Sequence, residues 1–220
     1  MKKILTLLII GLCSAFWLTP INAVTHHSPK QWRFKVYLDE QMIGYHTVTV
    51  NPEKARATVQ VEASFDVKFL FFTAYRYLHN TQETWENNCI KTIESHTNDN
   101  GEIYYVTGQQ ESQHLVLDTH EGPQSLPGCV RTFAYWAPHL LQARRLLNTQ
   151  TGEYLDVAIS HIGDEELMIN GDLIFARRYR LQAESIVIDL WYSKSMQWLA
   201  LQTTTDNGSQ LQYKLEKFSI

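Results

Sequence analysis

What this 220-residue chain lacks narrows its function before anything it contains. It holds three cysteines and no C-x-x-C pair, which argues against a thiol–disulfide oxidoreductase. It has no G-x-S-x-G elbow, no H-E-x-x-H helix and no phosphate-binding glycine loop, so no familiar catalytic constellation can be placed. Its nine histidines include no H-x-H and no i, i+4 pair that would set two ligands on one face. Neither a metal site nor a cofactor is expected. Basic residues number 19 against 23 acidic ones and form no cluster, and a nucleic-acid partner, which needs a basic face, is disfavoured. No internal repeat or low-complexity linker breaks the chain, and helical crossovers are missing, which excludes a parallel α/β fold.

The N-terminus supplies the first positive signal. Lys2 and Lys3 precede an apolar run from Ile4 to Leu18, followed by Thr19, Pro20 and small residues ending at Ala23, the three-part pattern of a secretory signal peptide. The run is shorter than the roughly 20 residues a membrane span needs, so residues 1–23 are expected to be removed with no transmembrane anchor left behind. Cys13 follows Leu12, not the small residue that lipidation would require. The lysine start and short apolar core suit a bacterial leader, which places the protein in a periplasm. The remainder, 24–220, carries a formal charge of −6 once Lys2 and Lys3 are gone. It is long enough for a single domain with a substantial core.

Two cysteines then remain, Cys89 and Cys129. In an oxidising compartment a disulfide is the expected state of an isolated pair, the alternative being two buried thiols. Around them the chain reads as strands. "TVQVEASFDVKF" alternates, with Val59, Val61, Ala63, Phe65, Val67 and Phe69 on one face, and "WRFKVYL" and "SQLQYKL" do the same through Trp32, Phe34, Val36, Leu38 and through Leu211, Tyr213, Leu215. Asn100-Gly101, Asn170-Gly171 and Asn207-Gly208 lie between such runs and signal hairpins. Ten to twelve strands are expected between Trp32 and Phe218, in an all-β fold: a curved antiparallel sheet forming a barrel or half-barrel with one covering helix.

Two segments break the alternation. Residues 56–86 contain no glycine or proline yet are too long for one strand, so the chain must turn inside "KFLFFTAY", where Phe69, Leu70, Phe71 and Phe72 are all apolar. Such a tip either folds beneath the barrel as a plug or is exposed to lipid, ligand or partner. The second segment is "CVRTFAYWAPHLLQARRLLNTQTG". Pro138 suits a first helical turn, Leu140, Leu141, Arg144 and Leu147 give a 3–4 spacing, Arg144 and Arg145 complement a helix C-terminus, and Gly152 lies past the exit. This predicts a helix over 138–147 that either completes the core or covers an apolar cavity, with Phe133, Tyr135 and Trp136 at its entrance. Tyr75, Tyr77 and His79 form a polar-aromatic row on one strand face. Glu83 shares that face, but four positions on a strand put it roughly 13 Å from His79, too far for a dyad.

Together "YRYLHNTQETWENNCIKTIESHTNDNG", "CVRTFAYWAPHLLQARRLLNTQTG" and "LWYSKSMQWLALQTTTDNGSQLQYKLEKF" resemble a family of exported bacterial β proteins that constitutes a domain of unknown function, over nearly the whole of 24–220. The resemblance implies a structure and no activity. More distantly, a curved antiparallel sheet covered by helix is similar in architecture to periplasmic lipoprotein carriers of the LolA type. The leading expectation is a non-enzymatic periplasmic protein that binds an apolar or lipid-like molecule in a barrel cavity. Its lining would be Phe69, Leu70, Phe71, Phe72, Tyr75, Tyr77, Tyr135, Trp136, Leu140 and Leu141. The alternatives are an envelope assembly or interaction factor that docks through its apolar loop, and an enzyme with a dispersed site. The exported form is expected to begin at or near Val24. Intact mass of the periplasmic species checks this, and a chain retaining residues 1–23 would refute it.

Overall fold

The structure is a computed structural model that describes residues 28–69, 72–184 and 186–219. The expected signal peptide at 1–23 and the turn residues Leu70 and Phe71 lie outside the described residues. Eight strands come first: β1 Lys30–Leu38, β2 Gln41–Glu53, β3 Arg56–Phe69, β4 Phe72–Glu86, β5 Cys89–Asp99, β6 Glu102–Glu111, β7 His114–Thr119 and β8 Gly122–Pro127. After an irregular stretch come β9 Arg145–Leu147, β10 Tyr154–Asp156, β11 Ala158–Ile169, β12 Asp172–Ala183, β13 Ile186–Ser193, β14 Trp198–Thr204 and β15 Gln210–Ser219.

Thirteen of these strands make one curved antiparallel sheet, in the order β11-β12-β13-β14-β15-β1-β2-β3-β4-β5-β6-β7-β8, and β9 and β10 pair separately. The all-β antiparallel class is as the alternating sequence predicts. The sheet is not closed, because β11 and β8 are both edges. It holds more strands than the expected ten to twelve.

Hairpin chemistry sets the register. Asn100 and Gly101 take φ values of 52° and 100°, and Asn170 and Gly171 take 53° and 95°, as a tight turn between right-twisted strands demands. At Asn207-Gly208 the turn is wider: Thr205 N–H donates to the Ser209 carbonyl, and Gly208 N–H donates to that of Thr205. The turn expected inside "KFLFFTAY" falls between Phe69 and Phe72, which pair as the last residue of β3 and the first of β4.

The helix predicted over 138–147 does not form. Among the described residues the stretch holds a single 3₁₀ turn, Pro138–Gln142. Proline occupies its start as expected, and Ala143 then leaves into extended backbone at φ −75°, ψ 147°. Arg145–Leu147 continues as β9. Leu146 and Leu147 are both fully buried, Leu146 in the main core with Trp32, Phe34, Trp85 and Trp198, and Leu147 in a second cluster with Ile90, Ile93, Leu115 and Leu117. Consecutive residues of an extended chain point to opposite sides, so an extended segment fills two cores at once where one helical stripe would serve only one. Each leucine gains about 1.5–3 kcal/mol by burial. Gly152 does not follow a helix but turns the β9–β10 hairpin, at φ 87°. A Cβ there would lie 2.5 Å from Thr119 Cγ2.

Residues 128–157 therefore run from one edge of the sheet, β8, to the other, β11, inside the curl. They pack on β2, β3 and β4 on one side and on β12, β13 and β14 on the other. Their start is fixed covalently. Cys89 and Cys129 form a disulfide with Cα atoms 5.1 Å apart, and beside it Ile90 N–H donates to the Val130 carbonyl at 2.9 Å. Leu147 N–H donates to the Arg131 carbonyl, tying the returning chain to the same place. With 40 positions between the cysteines, the bond is worth about 3–4 kcal/mol on the loop-closure model. Replacing both cysteines by serine is expected to cost that much in urea denaturation. Alkylation of native protein without reductant would show that the bond does not form.

Candidate functional site

Strand β4 supplies the spine of the interior. Tyr75, Tyr77, His79, Thr81, Glu83 and Trp85 alternate inward while Arg76, Leu78, Asn80 and Gln82 face out. His79, Thr81 and Glu83 are buried, which is uncommon for such residues and requires partners. They find them along and across the sheet. His79 Nδ1 lies 2.8 Å from Thr97 Oγ1, its Nε2 lies 2.9 Å from Thr81 Oγ1, and the Thr81 hydroxyl donates to Ser95 Oγ at 3.1 Å. Glu83 accepts from Trp85 Nε1 at 2.6 Å. Thr132, in the crossing segment, lines the same chamber as this carboxylate.

This row borders two spaces. The inner chamber, of about 250 Å³, is walled by His46, His79, Glu83, Thr132, Tyr135 and Trp136, with aliphatic contributions from β2, β3 and β13. The outer mouth, of about 620 Å³, is walled mainly by Leu38, Ile43, Phe65, Val67, Tyr75 and Leu211, with Asp99 and Asp206 at its polar side. Tyr77, Gln150 and Tyr213 line both and so form the wall they share. Phe65 stacks on Tyr77 with ring centroids 5.2 Å apart.

Burial sets the electrostatics. It pushes Glu83 up to about 7, against the hydrogen bond from Trp85 that favours the carboxylate. Burial pulls His79 down to about 4, and burial followed by the neighbouring His79 pulls His46 down to about 3. Both imidazoles are neutral at pH 7. Burial also raises the hydroxyls of Tyr77, Tyr135 and Tyr213. Two polar atoms of the inner chamber are buried without a protein partner, His46 Nδ1 and Trp136 Nε1.

The predicted site residues separate into three groups. Tyr75 and Tyr77 line the mouth, and Tyr135 and Trp136 line the inner chamber. Leu140 is buried in the main core and Leu141 packs against it, and neither borders either space. The segment expected as a lid is thus a plug over a filled core at 138–147. Phe69 ends β3 and Phe72 begins β4, and Leu70 and Phe71 lie outside the described residues. Sequence reasoning missed His46, Asp99, Gln150 and Thr132. His46 had a usable signal, since His46, Val48 and Val50 alternate inward on β2. Gln150 and Thr132 lie in the irregular segment, where no periodicity marks a direction.

This arrangement defines a β-barrel-like protein whose open curl is filled from within. The chain belongs to the family described as Domain of unknown function (DUF6134), whose model matches residues 34–216. Its fold is similar to the crystal structure of a beta-barrel-like protein of Domain of Unknown Function DUF1849 from Brucella abortus. The TM-score is 0.61 at 10% identity, covering 87% of this chain and 97% of that one. No curated protein matches the chain.

Glu83 yields a pH prediction. Its folded value of about 7 lies above the 4.5 of an exposed glutamate. The folded chain therefore holds this proton longer, and the associated stability is full below about pH 4.5 and lost as pH rises to about 7. His46 and His79, lowered to about 3 and 4, act oppositely and cost stability as pH falls below about 6.5. Comparison with Glu83→Gln isolates the carboxyl. Between pH 4.5 and 8 wild type is expected to lose stability relative to the variant by on the order of 3 kcal/mol. Parallel unfolding curves at the two pH values would show that Glu83 ionises as freely as an exposed glutamate.

Proposed function

We propose that this protein is a non-enzymatic periplasmic binding protein that takes an apolar or lipid-like molecule into its mouth cavity. The observation that carries the reading is the mouth itself. Its volume of about 620 Å³ falls in the range of ligand cavities, and its walls are mostly aliphatic and aromatic with a few convergent polar groups. Periplasmic location follows from the leader sequence at 1–23. The crossing segment stands where a helical lid was expected, and the space available to a ligand lies beyond it, toward the β3–β4 turn.

The titratable groups inside favour binding over catalysis. His79 uses both ring nitrogens on threonine hydroxyls, and Glu83 is held by Trp85. A general base must reach a substrate proton within hydrogen-bond distance, and these groups are committed to the sheet. His46 alone keeps a free ring nitrogen, with no nucleophile beside it among its aromatic neighbours Trp198 and Tyr213.

Val67 lines the mouth, is half-buried and faces it from β3. Val67→Trp would fill the space without burying a charge. Titration with the neutral apolar dye N-phenyl-1-naphthylamine is expected to show saturable binding to wild type, at least tenfold weaker binding to Val67→Trp, and little change for Leu141→Met, which touches only the core. Circular dichroism confirms folding of both variants. Absence of saturable binding to wild type would end the proposal.

A further inference from the structure

We infer that a groove on the outer face of the sheet, between the tip of the β11–β12 hairpin and strands β14, β15 and β1, binds an amphiphilic anion. Its carboxylate or phosphate head is held by Lys214 beside Lys35, and its apolar body lies along Leu167 and Ala200. The site faces away from the core and does not depend on the mouth, since Lys35 points outward between the buried Phe34 and Val36. The groove has a volume of about 380 Å³, and its walls include Lys35, Tyr37, Leu167, Ala200, Gln202 and Lys214. All six are half-buried or exposed, so a ligand can reach them. Asn170 Nδ2 donates to the Glu216 carbonyl at 3.1 Å and fixes the hairpin tip that walls one side.

The register of β1 on β15 carries the inference. It sets Arg33 opposite Lys217 and Lys35 opposite Lys214, and like charges directly across a strand pair destabilise it. Other registers set opposite charges together: Arg56 with Glu86, Asp66 with Arg76, Arg145 with Asp156 and Arg180 with Asp189. One carboxylate serves the four cations of β1 and β15. It is Glu216, which meets Arg33 at 2.8 Å and Lys35 at 3.1 Å. Among the described residues Lys214 meets no carboxylate. Its Nζ lies 4.7 Å above the Tyr37 ring, a contact that orients the ammonium without neutralising it. An ammonium is a donor with no acceptor, so the head must accept, and an anion between Lys35 and Lys214 also offsets the repulsion between them. Leu167 and Ala200 supply the apolar surface that a bare inorganic anion would leave unused.

Calorimetric titration at pH 7.5 with decanoate, decyl phosphate, 1-decanol, decylammonium and acetate, all as monomers, tests the site. The titrations use Val67→Trp, whose mouth is filled, or wild type if that variant does not fold. Decanoate or decyl phosphate is expected to bind about tenfold tighter than 1-decanol, decylammonium or acetate, and the better of the two anions identifies the head. In the same background Lys214→Glu turns the like-charged pair into an opposite one. Its urea midpoint is expected to rise while the preferred anion binds about tenfold more weakly, and Lys214→Arg is expected to keep the binding. Should Lys214→Glu fail to fold, Lys214→Gln is read for binding in its place. Anion affinity unchanged in the folded variant, binding by neither anion, or 1-decanol binding as tightly as the anions overturns the site. A lowered urea midpoint in folded Lys214→Glu also overturns it, because the lysine would then be stabilising the sheet.

Discussion

The interior of this protein depends on one constraint: a thirteen-stranded sheet that curls without closing must have its inner face covered by something. Residues 128–157 do this, entering from β8 and leaving to β11 between the two halves of the sheet. The Cys89–Cys129 bond pins their start to β5, and the Ile90–Val130 and Arg131–Leu147 backbone bonds carry the tie inward. Because the segment must bury side chains toward both halves, an extended path with Leu146 and Leu147 pointing opposite ways serves it better than a helix with a single apolar stripe. Disulfide and leucine pair are two fastenings of one strap.

How much of this was legible follows from where each signal resides. The inward faces of β1, β3 and β15 were readable residue by residue, because alternation over seven or more positions has no other good explanation. The Cys89–Cys129 bond was readable from the cysteine count and the expectation of an oxidising compartment. The helix over 138–147 was misread because Leu140, Leu141, Arg144 and Leu147 satisfy a helical period by accident. Leu140 and Leu141 both pack on the main core from a single 3₁₀ turn, while the burial of Leu146 and Leu147 on opposite sides requires knowing that two cores exist. The cavity was half legible. Tyr75 and Tyr77 were named from their row, but the volume they enclose depends on β1, β2 and β15 converging from positions far apart in sequence, and on Gln150 in a turn that carries no period.

The buried row on β4 also shows why polarity inside a sheet need not mean catalysis. Thr81, Ser95 and Thr97 are small hydroxyl residues on adjacent strands, and their registers, Thr81 against Ser95 and His79 against Thr97, place each hydroxyl beside its partner. The strands thus satisfy the imidazole by geometry that the sheet already has. Among the described residues the unpaired buried side-chain nitrogens lie off this row, at Trp32, His46, Arg131, Trp136 and Arg178.

Openness of the barrel and the location of the cavity are connected. A closed barrel removes its edges, whereas an open one must protect them. Here β8 is six residues long with Pro123 and Pro127, which cannot donate to a further strand, and β11 is interrupted at Gly163 and carries Asp164, Glu165 and Glu166. With the edges blunted in this way, the curl can stay open and admit its own strap at one end. The strap fills the space from Val130 to Leu155, and of its described residues Gln150 alone lines the mouth. Toward that end the buried apolar cluster among the described residues consists of Val36, Ile43, Ala63 and Phe65. These same strands border the mouth, Ile43 and Phe65 directly. The mouth therefore lies between these strands and β15, with the strap contributing Gln150 to its wall, while the inner chamber takes Thr132, Tyr135 and Trp136 from the strap and His79 and Glu83 from β4.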